Sequence, residues 1–127
     1  MFRLNTQEEI DRNTRLECGV YRIFWIKKGK PQPIPRIGGI DKTGLLYLGH
    51  TQITLRARLN QFRRSAFLTS TNHSAGKKYI LNDKLNNIIA ADELFAEIVS
   101  YKHAFEMEDE ELKTYANLYG EVPPLNG

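Results

Sequence analysis

A single cysteine, Cys18, is all the thiol chemistry in this 127-residue chain, which excludes an intramolecular disulfide framework. No cluster of cysteines and histidines has the spacing of a zinc site either. Apolar runs stay well short of the roughly 18 residues that a membrane span requires. The N-terminus, Met1-Phe2-Arg3-Leu4, opens no apolar signal core, so a soluble protein of a reducing cytoplasm is expected. A chain of this length buries one core without disulfide or metal staples, and residues 1–127 read as one domain. Acidic residues are missing altogether between Lys42 and Asn82, where Arg56, Arg58, Arg63, Arg64, Lys77 and Lys78 stand. From Asp92 to Glu121 the balance reverses, with Lys102 and Lys113 set against a majority of acids. The net charge of +3 alone says little, but this separation suits a basic middle that meets a phosphate backbone and an acidic part that holds a cation. Two solvated helix faces are the plainer reading of the same charges.

Thr6 and Glu9 have the form of a capping box and predict a helix from Thr6 to Asn13. Gly19 to Ile26 is rich in β-branched and aromatic residues and predicts a strand. Residues 27–44 hold Pro31, Pro33, Pro35 and the Gly38-Gly39 pair, which excludes a helix and argues against a central strand. Asp41 to Gly44 reads as a tight turn into a second strand, Leu45 to Gly49, antiparallel to the first. The recurrence of Leu55, Leu59, Phe62 and Ala66 predicts a helix from Thr54 to Phe67, with Arg58 on the flank of its buried face. A polar loop from Leu68 to Lys78, a helix from Tyr79 to Ala91, a strand from Leu94 to Tyr101 and a helix from Ala104 to Tyr119 follow, the last stopped by Gly120.

One acid on that last helix stands apart. Phe105, Leu112, Tyr115, Ala116 and Tyr119 fall within an arc of about 100°, and Glu108 falls inside it. A carboxylate buried without a partner costs several kcal/mol, so a cation or an inward arginine such as Arg58 is expected beside it. Tyr21 and Tyr47 close two adjacent strands. A tyrosine in that place is ordinarily core with its hydroxyl at the rim. It becomes a proton acceptor only where nearby positive charge lowers its pKa of about 10.

In order along the chain stand Gly19-Val20-Tyr21, Tyr47-Leu48-Gly49-His50, Leu55-Arg56-Ala57-Arg58-Leu59, Glu108, and Pro123-Pro124-Leu125-Asn126. This succession resembles the motifs of the GIY-YIG endonuclease family and spans Gly19 to Asn126. Each tripeptide alone is weak; five elements in order are specific. The resemblance implies an α+β fold with a small, three-stranded, mainly antiparallel sheet flanked by helices. It implies cleavage of phosphodiester bonds in DNA with one divalent metal, Mg2+ or Mn2+. Tyr21, Tyr47 and Arg58 then take the catalytic positions, with Glu108 as metal ligand, and the late asparagine of the family maps onto Asn126. Which phenol accepts the proton is left open.

The match is not complete. Tyr21 and Tyr47 lie farther apart than in minimal members, which makes residues 27–44 an insertion and residues 1–17 an extension. His50 stands where members often carry lysine; a phosphate contact, activation of a tyrosine, or simple solvent bonding are all open to it. The stretch His73-Ser74-Ala75-Gly76-Lys77-Lys78 reads as a phosphate-holding loop or as plain surface. His50, Arg56, Arg63, His73, Lys77, Lys78 and Asn126 are therefore the expected nucleic-acid contacts. A nucleic-acid-binding domain of the same fold without cleavage is the competing expectation.

Overall fold

In the computed structural model, which describes residues 1–68 and 73–127, the chain forms antiparallel strands with helices on both faces of the main sheet. Strands β1 (Phe2–Arg3), β2 (Gly19–Lys27) and β3 (Lys30–Pro31) are followed by β4 (Ile34–Arg36), β5 (Gly39–Asp41) and β6 (Leu45–Thr51), and β7 (Leu94–Ser100) comes late. Helices are α1 (Gln7–Asn13), α2 (Leu55–Phe67), α3 (Ser74–Leu81), α4 (Asp83–Ile88) and α5 (Ala104–Tyr119). Among the described residues the main sheet has five strands rather than the three expected, because the two-residue strands β1 and β3 add to its edges. Strands that short carry no periodicity to read.

β2 lies at the centre, antiparallel to β6 on one side and β7 on the other. Side chains alternate across a strand, so each face of the sheet packs its own core. Tyr21, Ile23 and Ala96 meet Leu55, Leu59 and Phe62 of α2 and Ala75 and Tyr79 of α3. Phe24, Ile26, Leu45 and Leu48 meet Tyr115 of α5. A bulge between the pairs Ile23–Tyr47 and Phe24–Leu45 bends β6 at Leu46, one residue before Tyr47. Residues 1–17 are no loose extension: Phe2 pairs with Ala96, and Leu4 and Ile10 are fully buried in the first core.

Thr6 caps α1 as expected by accepting from Glu9 N, and Thr54 caps α2 by accepting from Ala57 N. The helix expected from Tyr79 to Ala91 is instead two helices that break at Asn82, whose side chain caps α4 by accepting from Lys84 N and Leu85 N. Leu81 and Ile88 are exposed as a result, and Tyr79 closes the core by donating to Ile89 O at 2.6 Å. The expected polar loop is shorter too, since Lys77 and Lys78 belong to α3, while residues 69–72 of it lie outside the described residues.

The insertion, 27–44, is fixed to the C-terminal end of α5. Gly38 N donates to Tyr119 O at 2.7 Å. Asp41, fully buried, accepts from Thr43 N, from the Thr43 hydroxyl and from the Tyr115 hydroxyl. Those three donors satisfy a carboxylate that would otherwise be costly to bury. No helix among the described residues is long and apolar enough to cross a membrane.

Candidate functional site

Tyr21 projects from the centre of the sheet into the first core and is 0% exposed. Its ring crosses Gly49 on β6, the residue directly opposite it in the register. The Tyr47 ring lies edge-on to it, 5.9 Å away between centroids. Burial raises the Tyr21 pKa, and the neighbouring Tyr47 adds to the rise, while the Arg58 guanidinium works against it. Tyr47 is only half-buried. Its pKa is also raised, first by burial and second by the negative charge of Glu108, with Ser74, Arg58 and Tyr21 pulling it down. Arg58 reaches this cluster from α2, with its Nη1 donating to Gln61 Oε1 at 2.7 Å. Three of the expected residues, Tyr21, Arg58 and Glu108, are thus each within electrostatic reach of the fourth, Tyr47.

Glu108 comes from the other face of the sheet. Where a cation or an inward arginine such as Arg58 is expected beside it, the structure places His50, whose Nδ1 lies 2.5 Å from Glu108 Oε2. Strand alternation explains the partner: His50 lies three residues beyond Tyr47 on β6, so the two side chains leave opposite faces of the edge strand. The site therefore straddles that edge. Phe105, expected in the buried arc, is 56% exposed and stands edge-on to the His50 ring at 5.5 Å.

His73 has a different task from the one expected. It is 0% exposed and caps α3, its Nδ1 accepting from Ala75 N and Gly76 N. Burial, and then the charge of Arg58, lower its pKa to about 3, so the ring is neutral. With Nδ1 accepting, the ring proton sits on Nε2 and is donated to the Tyr21 hydroxyl at 2.8 Å. His73 is unavailable to a phosphate, and it fixes Tyr21 as an acceptor whose own proton points elsewhere.

This wiring carries an acid sensitivity. His73 titrates at about 3 when folded against 6.5 ordinarily, so the unfolded chain binds the extra proton over that interval. Its contribution to stability is fully present above pH 6.5 and is lost as pH falls towards 3, by up to about 1.4 kcal/mol per pH unit. His73→Asn keeps a capping side chain without a titrating one. Urea midpoints measured from pH 7 to 4 are expected to fall less steeply for it than for the wild type; equal slopes would refute the assignment.

Other expected contacts are taken up by the fold. Arg56 donates to the carbonyls of Asp11 and Thr14 and to the Thr14 hydroxyl, clamping α2 to the end of α1. Asn126 bonds both backbone groups of Leu48, Nδ2 to the carbonyl and Oδ1 from the amide, each at 2.9 Å. Leu125 N donates to Leu46 O, so the tail grips β6 on either side of Tyr47. Lys78 holds that tail through the carbonyls of Leu125 and Gly127. Arg63 donates to Asn60 Oδ1 and is half-buried, and Lys77 is exposed. Two participants, Ser74 and Gln61, were not legible in sequence. Ser74 was hidden because the helix it opens is capped by a histidine, where serine, threonine or aspartate is the usual sign.

Among the described residues no group of three or more histidine, cysteine, aspartate or glutamate side chains is placed to hold a metal ion. The donors present still fit magnesium or manganese. Glu108 has one oxygen bonded to His50, it is 18% exposed, and a magnesium ion typically takes one or two carboxylates while keeping several waters. No protein family, no curated protein and no solved structure matches the chain.

Proposed function

We propose that this protein is a metal-dependent DNA endonuclease of the GIY-YIG kind, hydrolysing one phosphodiester bond at a time. The observation that carries the reading is that the half-buried Tyr47 phenol at the edge of β6 feels the charges of both a guanidinium from α2, Arg58, and a carboxylate from α5, Glu108. The antiparallel trio β6-β2-β7, with Tyr21 opposite Gly49, supports the same likeness.

Tyr47 is the proton acceptor in this proposal. Tyr21 is completely buried and occupied by His73, whereas Tyr47 is half-buried and can meet a water at the surface. Burial and the Glu108 carboxylate raise its pKa, and three groups oppose that rise, the Ser74 hydroxyl, the charge of Arg58 and the Tyr21 hydroxyl, so ionisation of Tyr47 calls for further positive charge at the site. With Tyr47 ionised, its own proton released to solvent, the phenolate takes a proton from the attacking water as the water oxygen bonds to phosphorus; the bond to the leaving sugar oxygen breaks, and that alkoxide takes a proton from solvent. Arg58, steadied by Gln61, offsets the charge gathering on the phosphoryl oxygens. A divalent cation held by Glu108 would supply positive charge for the phosphate and the leaving oxygen, and would cancel the carboxylate charge that raises Tyr47. Arg63 and Lys77, on α2 and α3, are the side chains offered to flanking phosphates.

The test is nicking of supercoiled plasmid with magnesium, with manganese and with chelator. Nicking in either metal and none in chelator is expected. Retardation of DNA without nicking in any metal would favour the binding domain instead, and neither nicking nor salt-sensitive retardation would remove both readings.

A further inference from the structure

His50 is unexplained by the proposed reaction. It neither faces the phenols nor fills the core, yet it is held firmly. Its ring is fixed edge-on by Phe105, its Nδ1 is 2.5 Å from Glu108 Oε2, and both side chains are largely withdrawn from water, at 29% and 18% exposure. The two come from a strand and a helix, elements rigid enough to hold a ligand geometry.

We propose that His50 is a second protein ligand of the cation, so that the site is a nitrogen–oxygen pair rather than a lone carboxylate and favours manganese over magnesium. The proposal rests on the reading of Glu108 as metal ligand. Adjacent ligands on an octahedral ion, each at about 2.1 Å, lie about 3.0 Å apart. The observed separation of 2.5 Å is that of a short hydrogen bond between the two groups. Exchange of the proton for a cation asks the donors to part by about half an ångström, which side-chain torsions allow. The neutral ring then carries its proton on Nε2, and Nδ1 presents a lone pair. Magnesium prefers oxygen ligands, while transition ions accept imidazole readily, so the nitrogen shifts selectivity towards manganese.

A rival role leaves His50 one step removed, donating Nδ1–H to a carboxylate that alone binds the ion. Loss of affinity in His50→Ala does not separate the two, because outer partners of a ligand also change affinity by 10–100-fold. Direct detection does. Pulsed EPR of Mn2+ bound to the full chain is expected to show coupling to a directly bonded nitrogen, absent in His50→Ala and in His50→Gln, whose amide retains a donor for Glu108. Titration calorimetry with Mn2+ and Mg2+ should show His50→Ala weakening Mn2+ about tenfold or more and Mg2+ by less than about threefold. Matching thermal melts of variants and wild type establish that the fold survives. Mn2+ that binds through Glu108, shown by loss in Glu108→Ala, but without nitrogen coupling overturns the role of His50 and leaves the nuclease reading standing. Mn2+ binding unaffected by Glu108→Ala, or no binding at millimolar metal, overturns both.

Discussion

Tyr47→Phe and Arg58→Ala are each expected to lower metal-dependent nicking by on the order of a hundredfold or more, about 3 kcal/mol of transition-state stabilisation, with little change in stability. The small stability effect follows from position. Tyr47 is half-buried at an edge strand whose backbone is gripped by the tail, and Arg58 lies on the flank of α2 rather than on its core stripe. Tyr21→Phe inverts this pattern. It removes the acceptor for the His73 Nε2–H inside the core, and a buried donor left unpaired costs about 1–3 kcal/mol. Its rate loss should be the smaller, since Tyr21 is fully buried and acts through Tyr47. Nicking rates and urea midpoints on the same three variants separate the roles. A Tyr47→Phe enzyme that nicks at the wild-type rate would end the proposal for the base.

Legibility in the sequence divided along physical lines. Periodicity found the long elements β2, β6, β7, α2 and α5, because each buries one face and the pattern repeats several times along it. It missed β1 and β3, too short to show a period, and it fused α3 and α4, because Asn82 breaks a stretch whose apolar content suits a helix throughout. At the site, the succession of tripeptides, Arg58 and Glu108 was readable as order along the chain. Pairings across that order were not. Nothing local to His50 points at Glu108, nothing local to His73 points at Tyr21, and the amide of Asn126 meets the backbone of Leu48 only once the tail has crossed β6. Basic residues were the poorest guide. Arg56 and Lys78 read as nucleic-acid contacts but hold backbone carbonyls, which guanidinium and ammonium donors satisfy as readily as they satisfy phosphate.

Gly49→Ala is expected to destabilise the protein by about 3 kcal/mol, far beyond an ordinary glycine-to-alanine change in a strand. A methyl group there would stand 2.4 Å from Tyr21 Cζ and 2.6 Å from its hydroxyl oxygen. The ring has nowhere to go, being fully buried, bonded to His73 and packed against Tyr47. The glycine of the second tripeptide is therefore a seat for the tyrosine of the first. Gly19 is constrained differently, since a methyl group on it would meet Val99 O, a backbone atom, at 2.1 Å. Relief there requires the paired ends of β2 and β7 to splay, at the last rung, Gly19–Ser100. The two mechanisms predict different couplings. In a Tyr21→Leu background, which lacks the obstructing atoms, the cost of Gly49→Ala should shrink by at least about 1 kcal/mol, while that of Gly19→Ala should add independently. Urea denaturation of the two double-mutant cycles decides it: additive penalties at Gly49 would mean that the ring is not what excludes a side chain from that position.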